Sequence, residues 1–151
     1  MAAVWGIHAG GSRSPFLASN VLELDRPGVG DLHVLGADRH AIKRKLAASY
    51  PNEKPGTIAA WAGVLLRFAY GPAIGDLVVH PERATQSVSI GRIAGEYRFS
   101  EPGLHQREVA WLVRRCPRAQ FSESARKDLS TRVAFFAIRD SAEEFVDLAG
   151  R

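Results

Sequence analysis

At Gly71-Pro72 the hydrophobic period of the chain changes. Upstream, apolar residues recur at helical spacing. Ile58, Trp61, Leu65 and Phe68 follow i, i+3, i+7 and i+10, which puts them on one stripe of a helix capped by Thr57. An earlier helix is expected from Asp38 to Tyr50. Asp38 is its N-cap, Ile42, Leu46 and Tyr50 form its apolar face, and Pro51 ends it. Downstream of the switch, strand patterns follow at Leu77 to His80, Ser87 to Ile93 and Arg107 to Leu112. Val88 and Ile90 alternate there with Ser87, Ser89 and Gly91.

The flanks complete the order. Strands are expected at Val4 to Ala9, before the Gly10-Gly11-Ser12 break, and at Asn20 to Leu24, with a loop or short helix through Phe16 and Leu17 between them. Asp25-Arg26-Pro27-Gly28 is turn chemistry. A short helix near Ser122 to Leu129, a strand from Arg132 to Ile138 and a helix from Ser141 through Leu148 close the chain. Strands follow two helices without strand–helix–strand alternation, which excludes a doubly wound parallel sheet. The expected class is α+β: a small, curved antiparallel β-barrel flanked by helices, one domain over residues 1–151.

Composition narrows the setting. Hydrophobic residues are 46% and charged residues 24%, values of a folded domain rather than a disordered one. No run approaches the roughly 18 apolar residues a membrane span needs. Met1 to Trp5 lacks the basic and apolar regions of a signal peptide. The single cysteine, Cys116, excludes an internal disulfide and a multi-cysteine zinc site. A cytoplasmic protein is expected.

The charge is uneven. The whole chain carries +4, but residues 83–132 carry +5, with nine arginines and one lysine against five acids. The guanidinium fork matches phosphate, so a polyanion partner is expected. The alternative is a solvated face laced with internal ion pairs.

Catalytic patterns are missing. Ser12 stands outside a Gly-x-Ser-x-Gly elbow, and the five histidines include no pair at i, i+4. The residues two before each lysine are Ala41, Lys43, Asn52 and Ala125, so the Glu-x-Lys or Gln-x-Lys pair of metal-dependent nucleases is absent. The expectation is a non-catalytic chain with no metal and no cofactor. What remains is aromatic residues interleaved with arginine: Trp5 near His8, Trp61, Trp111, and Tyr97 and Phe99 around Arg98. Aromatic faces stack on nucleobases for about 1–3 kcal/mol each. Core packing competes for the same residues, above all for Trp61 on its apolar stripe and for Trp111.

One stretch reads as a unit. Tyr50-Pro51, Pro55-Gly56, Gly75-Asp76-Leu77-Val78-Val79, Ile90-Gly91-Arg92 through Tyr97, His105 to Leu112 and Pro117 to Ser122 occur in that order. Over about residues 4–138 this resembles the PUA-like superfamily, its EVE-type domains, and most of all the N-terminal modules of Mrr-type modification-dependent restriction nucleases. The resemblance implies a pseudo-barrel that binds nucleic acid, often by accepting one flipped base. By that resemblance Trp5, His8, Trp61 and His80 match the base-pocket region, and Arg92, Tyr97 and Arg98 match a neighbouring strand and loop. Ala59, Ala60 and Ala62 stand where some relatives carry amides, and Arg26 where some carry an aromatic residue. It also implies a chain that continues into a nuclease domain.

The resulting expectation is a reader of a modified base in duplex DNA that targets a restriction or defence nuclease. Trp5, Trp61 and Tyr97 would be stacking walls, and His8 and His80 would bond the base edge. Arg92, Arg98, Arg107, Arg114 and Arg115 would hold phosphates. Three other readings stand beside it. One is an RNA-binding module using the same cleft. Another is a small hydrolase of modified nucleosides using Glu96 or Asp76. The last is an interaction domain that docks through its terminal helix.

Overall fold

Along the strand Leu77–Glu82, Val78 packs into one apolar cluster while Leu77 and Val79 pack into another. Successive strand side chains point to opposite faces, so a strand buried on both sides must separate two cores. The computed structural model describes residues 2–8 and 15–150. The end of the first expected strand at Ala9 and the Gly10-Gly11-Ser12 break lie outside the described residues.

The elements in chain order are β1 (Val4–Ile7), α1 (Phe16–Ser19), β2 (Val21–Asp25), α2 (Leu32–Leu35), α3 (Arg39–Ser49), α4 (Pro55–Tyr70), β3 (Leu77–Glu82), β4 (Ser87–Ile93), β5 (Arg98–Ser100) and β6 (Leu104–Pro117). A single 3-10 turn at Arg118–Gln120 leads to α5 (Glu123–Asp128), β7 (Phe135–Ile138) and α6 (Ala142–Ala149). The sheet runs β2-β6-β4-β3-β1-β7, with β5 added against β6. It curls into a half-barrel of mixed strands with helices on both sides. The α+β class and the helical flanks are as expected. The strand directions need one correction, because β1 pairs β3 in parallel, Trp5 opposite Val78. The long crossover through α1 to α4 permits that direction, which a hairpin cannot provide.

Helices α2 to α4 cover one face. Ile42 and Leu46 of α3 and Ile58, Leu65 and Phe68 of α4 pack there with Ile7, Leu22 and Phe135. Helices α5 and α6 cover the other, bringing Phe121, Ala125, Leu129 and Phe145 against Val79, Val88 and Ile90. Asp38 caps α3 as expected, accepting from the backbone of His40 and Ala41. Helix α4 begins earlier than Thr57: Pro55 is its first residue, where a missing N–H costs nothing.

Strand β6 is the spine. Its first part pairs with β2 and β5 on opposite edges, and its second part pairs with β4. The register against β4 slips between Val88 and Ile90 and again between Ile90 and Gly91. At the first slip Arg115 takes φ 50°, and its N–H turns to the Ser89 hydroxyl at 2.9 Å. Such bulges bend and twist a strand, which here curls the sheet. No helix among the described residues is long and apolar enough to cross a membrane.

Candidate functional site

Two clefts open beside the end of β7, and Arg132 and Ala134 line both. The larger, about 1070 Å³, lies between the His8 end of β1, α1, the β3–β4 hairpin and residues 129–134. His8, Phe16, His80, Glu82 and Thr131 line it, with Arg83, Arg115, Arg118 and Arg132. Among the described residues four arginines face one carboxylate, Glu82, so the cleft is strongly cationic.

Its two histidines have defined roles. Nε2–H of His8 donates to the Thr131 carbonyl at 2.7 Å, and Nδ1–H of His80 donates to the Ile7 carbonyl at 3.1 Å. Burial, more than any other influence, pushes both imidazoles below their ordinary value. Burial thereby favours the neutral form of each ring, in which the nitrogen turned away from the carbonyl is an acceptor. Phe16 packs against His80 with ring centres 4.9 Å apart, and Phe136 against His8 at 5.4 Å. Arg115 reaches Glu82 at 3.6 Å, and Arg118 donates to the Arg126 carbonyl and the Ser130 hydroxyl.

The smaller cleft, about 530 Å³, lies over α4. Trp61 lines it, with Arg26, Arg39, Arg67 and Arg132 around it. The Arg26 guanidinium sits 3.7 Å from the centre of the Trp61 ring, and Tyr50 meets the same ring edge-on. This cation–π contact contributes about 0.5–2 kcal/mol and occupies the face expected for a base.

The five expected pocket residues are thus divided. His8 and His80 share the larger cleft, Trp61 lines the smaller, and Trp5 and Tyr97 line neither. Trp5 stacks on Phe135 at 5.4 Å, and its Nε1–H donates to Asp76 at 3.1 Å. Tyr97 is only 4% exposed; its hydroxyl accepts from the Leu32 N–H and lies 2.7 Å from His105 Nδ1. Burial pushes its phenol up to about 12.

The five expected phosphate contacts divide as well. Arg107 is 3% exposed and donates to the carbonyls of Gly95, Phe68 and Pro72. It ties α4 to the sheet and is not a surface charge. Arg98 is exposed but paired with Glu108 at 2.8 Å. Arg92 is exposed and bonds the Gly75 carbonyl, and exposed Arg114 bonds that of Leu17. Arg115 alone of the five lines a cleft. Asp76, a carboxylate considered for hydrolysis, accepts from the backbone of Ala3 and Ala73 and from Trp5, which makes it a structural clamp. Glu96 is exposed and lines neither cleft.

The other arginines that line the clefts, Arg26, Arg39, Arg67, Arg83, Arg118 and Arg132, are not among the contacts expected from sequence. Arg83, Arg118 and Arg132 lie in the basic segment 83–132, whose charge was the signal. Arg39 and Arg67 meet only when α3 packs on α4. No curated protein and no solved structure matches the chain. Residues 5–135 match the family model described as a domain of unknown function, DUF8426. With nearly the whole curled sheet and both clefts inside that match, the chain belongs to the DUF8426 family.

Proposed function

We propose that this domain is a non-catalytic nucleic-acid reader of PUA-like, EVE-type architecture. It takes a modified base from duplex DNA into the larger cleft and serves to direct a restriction or defence nuclease. The observation that carries the reading is the pairing of His8 and His80 in one arginine-lined cleft of about 1070 Å³. The cleft is large enough for a nucleotide with a substituent. The acceptor nitrogen that a neutral His8 or His80 ring turns away from its carbonyl suits the exocyclic amino edge of adenine, cytosine or guanine. Phe16 supplies an apolar wall, and Arg83, Arg115 and Arg118 supply charge for the flanking phosphates. Trp5 and Tyr97 line neither cleft, so the stacking role passes to the rings of the larger one, chiefly half-buried His8, since Phe16 and His80 are themselves only 2% and 4% exposed.

A panel of short duplexes differing only in base modification, measured at fixed salt, tests this. One modified duplex should bind at least about tenfold tighter than its plain counterpart. Equal affinity across the panel, or tighter binding of single-stranded RNA than of every duplex, would contradict it.

A further inference from the structure

The smaller cleft concentrates positive charge without acidic partners. Arg26, Arg39, Arg67 and Arg132 line it, with Asp25 the only acid among the lining residues. None of the four forms an ion pair within 4.0 Å among the described residues. Arg39 and Arg67 come from different helices and converge on one point. Arg39 Nη2 and Arg67 Nη1 each lie 3.4 Å from the place a Cβ would occupy on Gly63. Gly63 is buried inside α4, where alanine would favour the helix by about 1 kcal/mol. Its missing side chain leaves the space that the two guanidinium groups face.

Each guanidinium is anchored once. Arg39 Nη2 donates to the Ala59 carbonyl, and Arg67 Nε to the Phe135 carbonyl, both at 3.2 Å. Arginine has five N–H donors, so most remain available. Burial, and then the Arg39 charge, push the Arg67 guanidinium below its ordinary value. The two charges repel while the cleft is empty, and an anion between them relieves that repulsion. A carboxylate brings one charge, whereas a phosphoryl group brings up to two and several oxygens that match paired guanidinium forks.

We propose that this cleft is a phosphoryl-binding site, gripped by Arg39 and Arg67 over Gly63 and flanked by Arg26 and Arg132. The phosphoryl group belongs either to a nucleic-acid backbone or to a free phosphate ester. The site does not depend on the base-reading proposal, although Arg132 and Ala134 join the two clefts.

The test titrates the full chain with inorganic pyrophosphate by calorimetry. Arg39→Gln and Arg67→Gln should each weaken binding by about tenfold or more. Arg44→Gln, an exposed charge on α3, should leave binding unchanged. Without ligand, Arg39→Gln should melt no lower than the native chain, because it removes a repulsion. A DNA duplex that displaces pyrophosphate, with a salt slope lowered by about one in Arg39→Gln, assigns the site to a nucleic-acid backbone. Failure of the duplex to displace it assigns the site to a free ester. Both results uphold the site, and the second leaves it standing even if base reading fails. Absence of pyrophosphate binding, or equal weakening by Arg44→Gln and Arg39→Gln, overturns it.

Discussion

The Tyr97 hydroxyl and His105 Nδ1 lie 2.7 Å apart inside the fold. The Leu32 N–H donates to the Tyr97 oxygen, so the Tyr97 O–H is left to donate to Nδ1. Nε2–H of His105 then donates to the Arg26 carbonyl at 3.2 Å. This relay ties α2, the approach to β5, β6 and the end of β2 together. Tyr97→Phe removes the shared hydroxyl and strands two buried partners. It should cost about 1–3 kcal/mol in denaturant unfolding and leave nucleic-acid selectivity intact. A loss of selectivity without a loss of stability would return Tyr97 to the pocket.

Acid should destabilise the fold through its histidines. Burial, first among the causes, lowers His8, His80 and His105 from the ordinary 6.5. The folded chain therefore binds these protons more weakly than the unfolded chain. Their contribution to stability is complete above about pH 6.5 and is lost progressively as pH falls through that value toward the lowered ones. The melting temperature should accordingly drop between about pH 7 and pH 5. A melting temperature that holds or rises over this window would show that the imidazoles are charged in the fold.

Arg107 should behave as a core residue. Its guanidinium satisfies three carbonyls, including Phe68 and Pro72 at the end of α4. Arg107→Gln should cost about 2–3 kcal/mol, since charged donors to buried acceptors are lost. The salt slope of nucleic-acid binding should stay the same. A slope reduced by about one with unchanged stability is the signature of a phosphate contact instead.

Gly91 should resist even alanine. A Cβ there would lie 2.5 Å from Val109 Cγ2 and 2.9 Å from Trp111 Cε3. Gly91→Ala should cost about 1–3 kcal/mol by overpacking, measured by thermal unfolding. A neutral result would mean that the bulged part of β6 can shift.

What could be read from sequence follows from how local each signal is. The stripe Ile58, Trp61, Leu65 and Phe68 and the Asp38 cap are local, and both helices stand where they imply. Strand β6 runs past Arg107 to Leu112 in both directions. Its outer residues, such as Arg114 and Arg115, are exposed and carry no apolar alternation. Tyr97 and Arg107 have the chemistry of a binding site and the positions of core residues. Burial of that kind is decided by carbonyls far along the chain, Phe68 and Pro72 for Arg107. The convergence of Arg39 and Arg67 over Gly63 arises from packing between two helices, which no local pattern encodes.

The larger cleft is the centre of the account, and His8 is its most accessible test. His8 is half-buried at the cleft wall, so its removal should leave the fold intact. The measurement is the ratio of affinities for the best-bound modified duplex and its plain counterpart, in native chain and in His8→Ala, at one salt concentration. The account predicts that the ratio collapses by about tenfold or more while affinity for plain duplex is nearly unchanged. An unchanged ratio, with both affinities falling together, would contradict it.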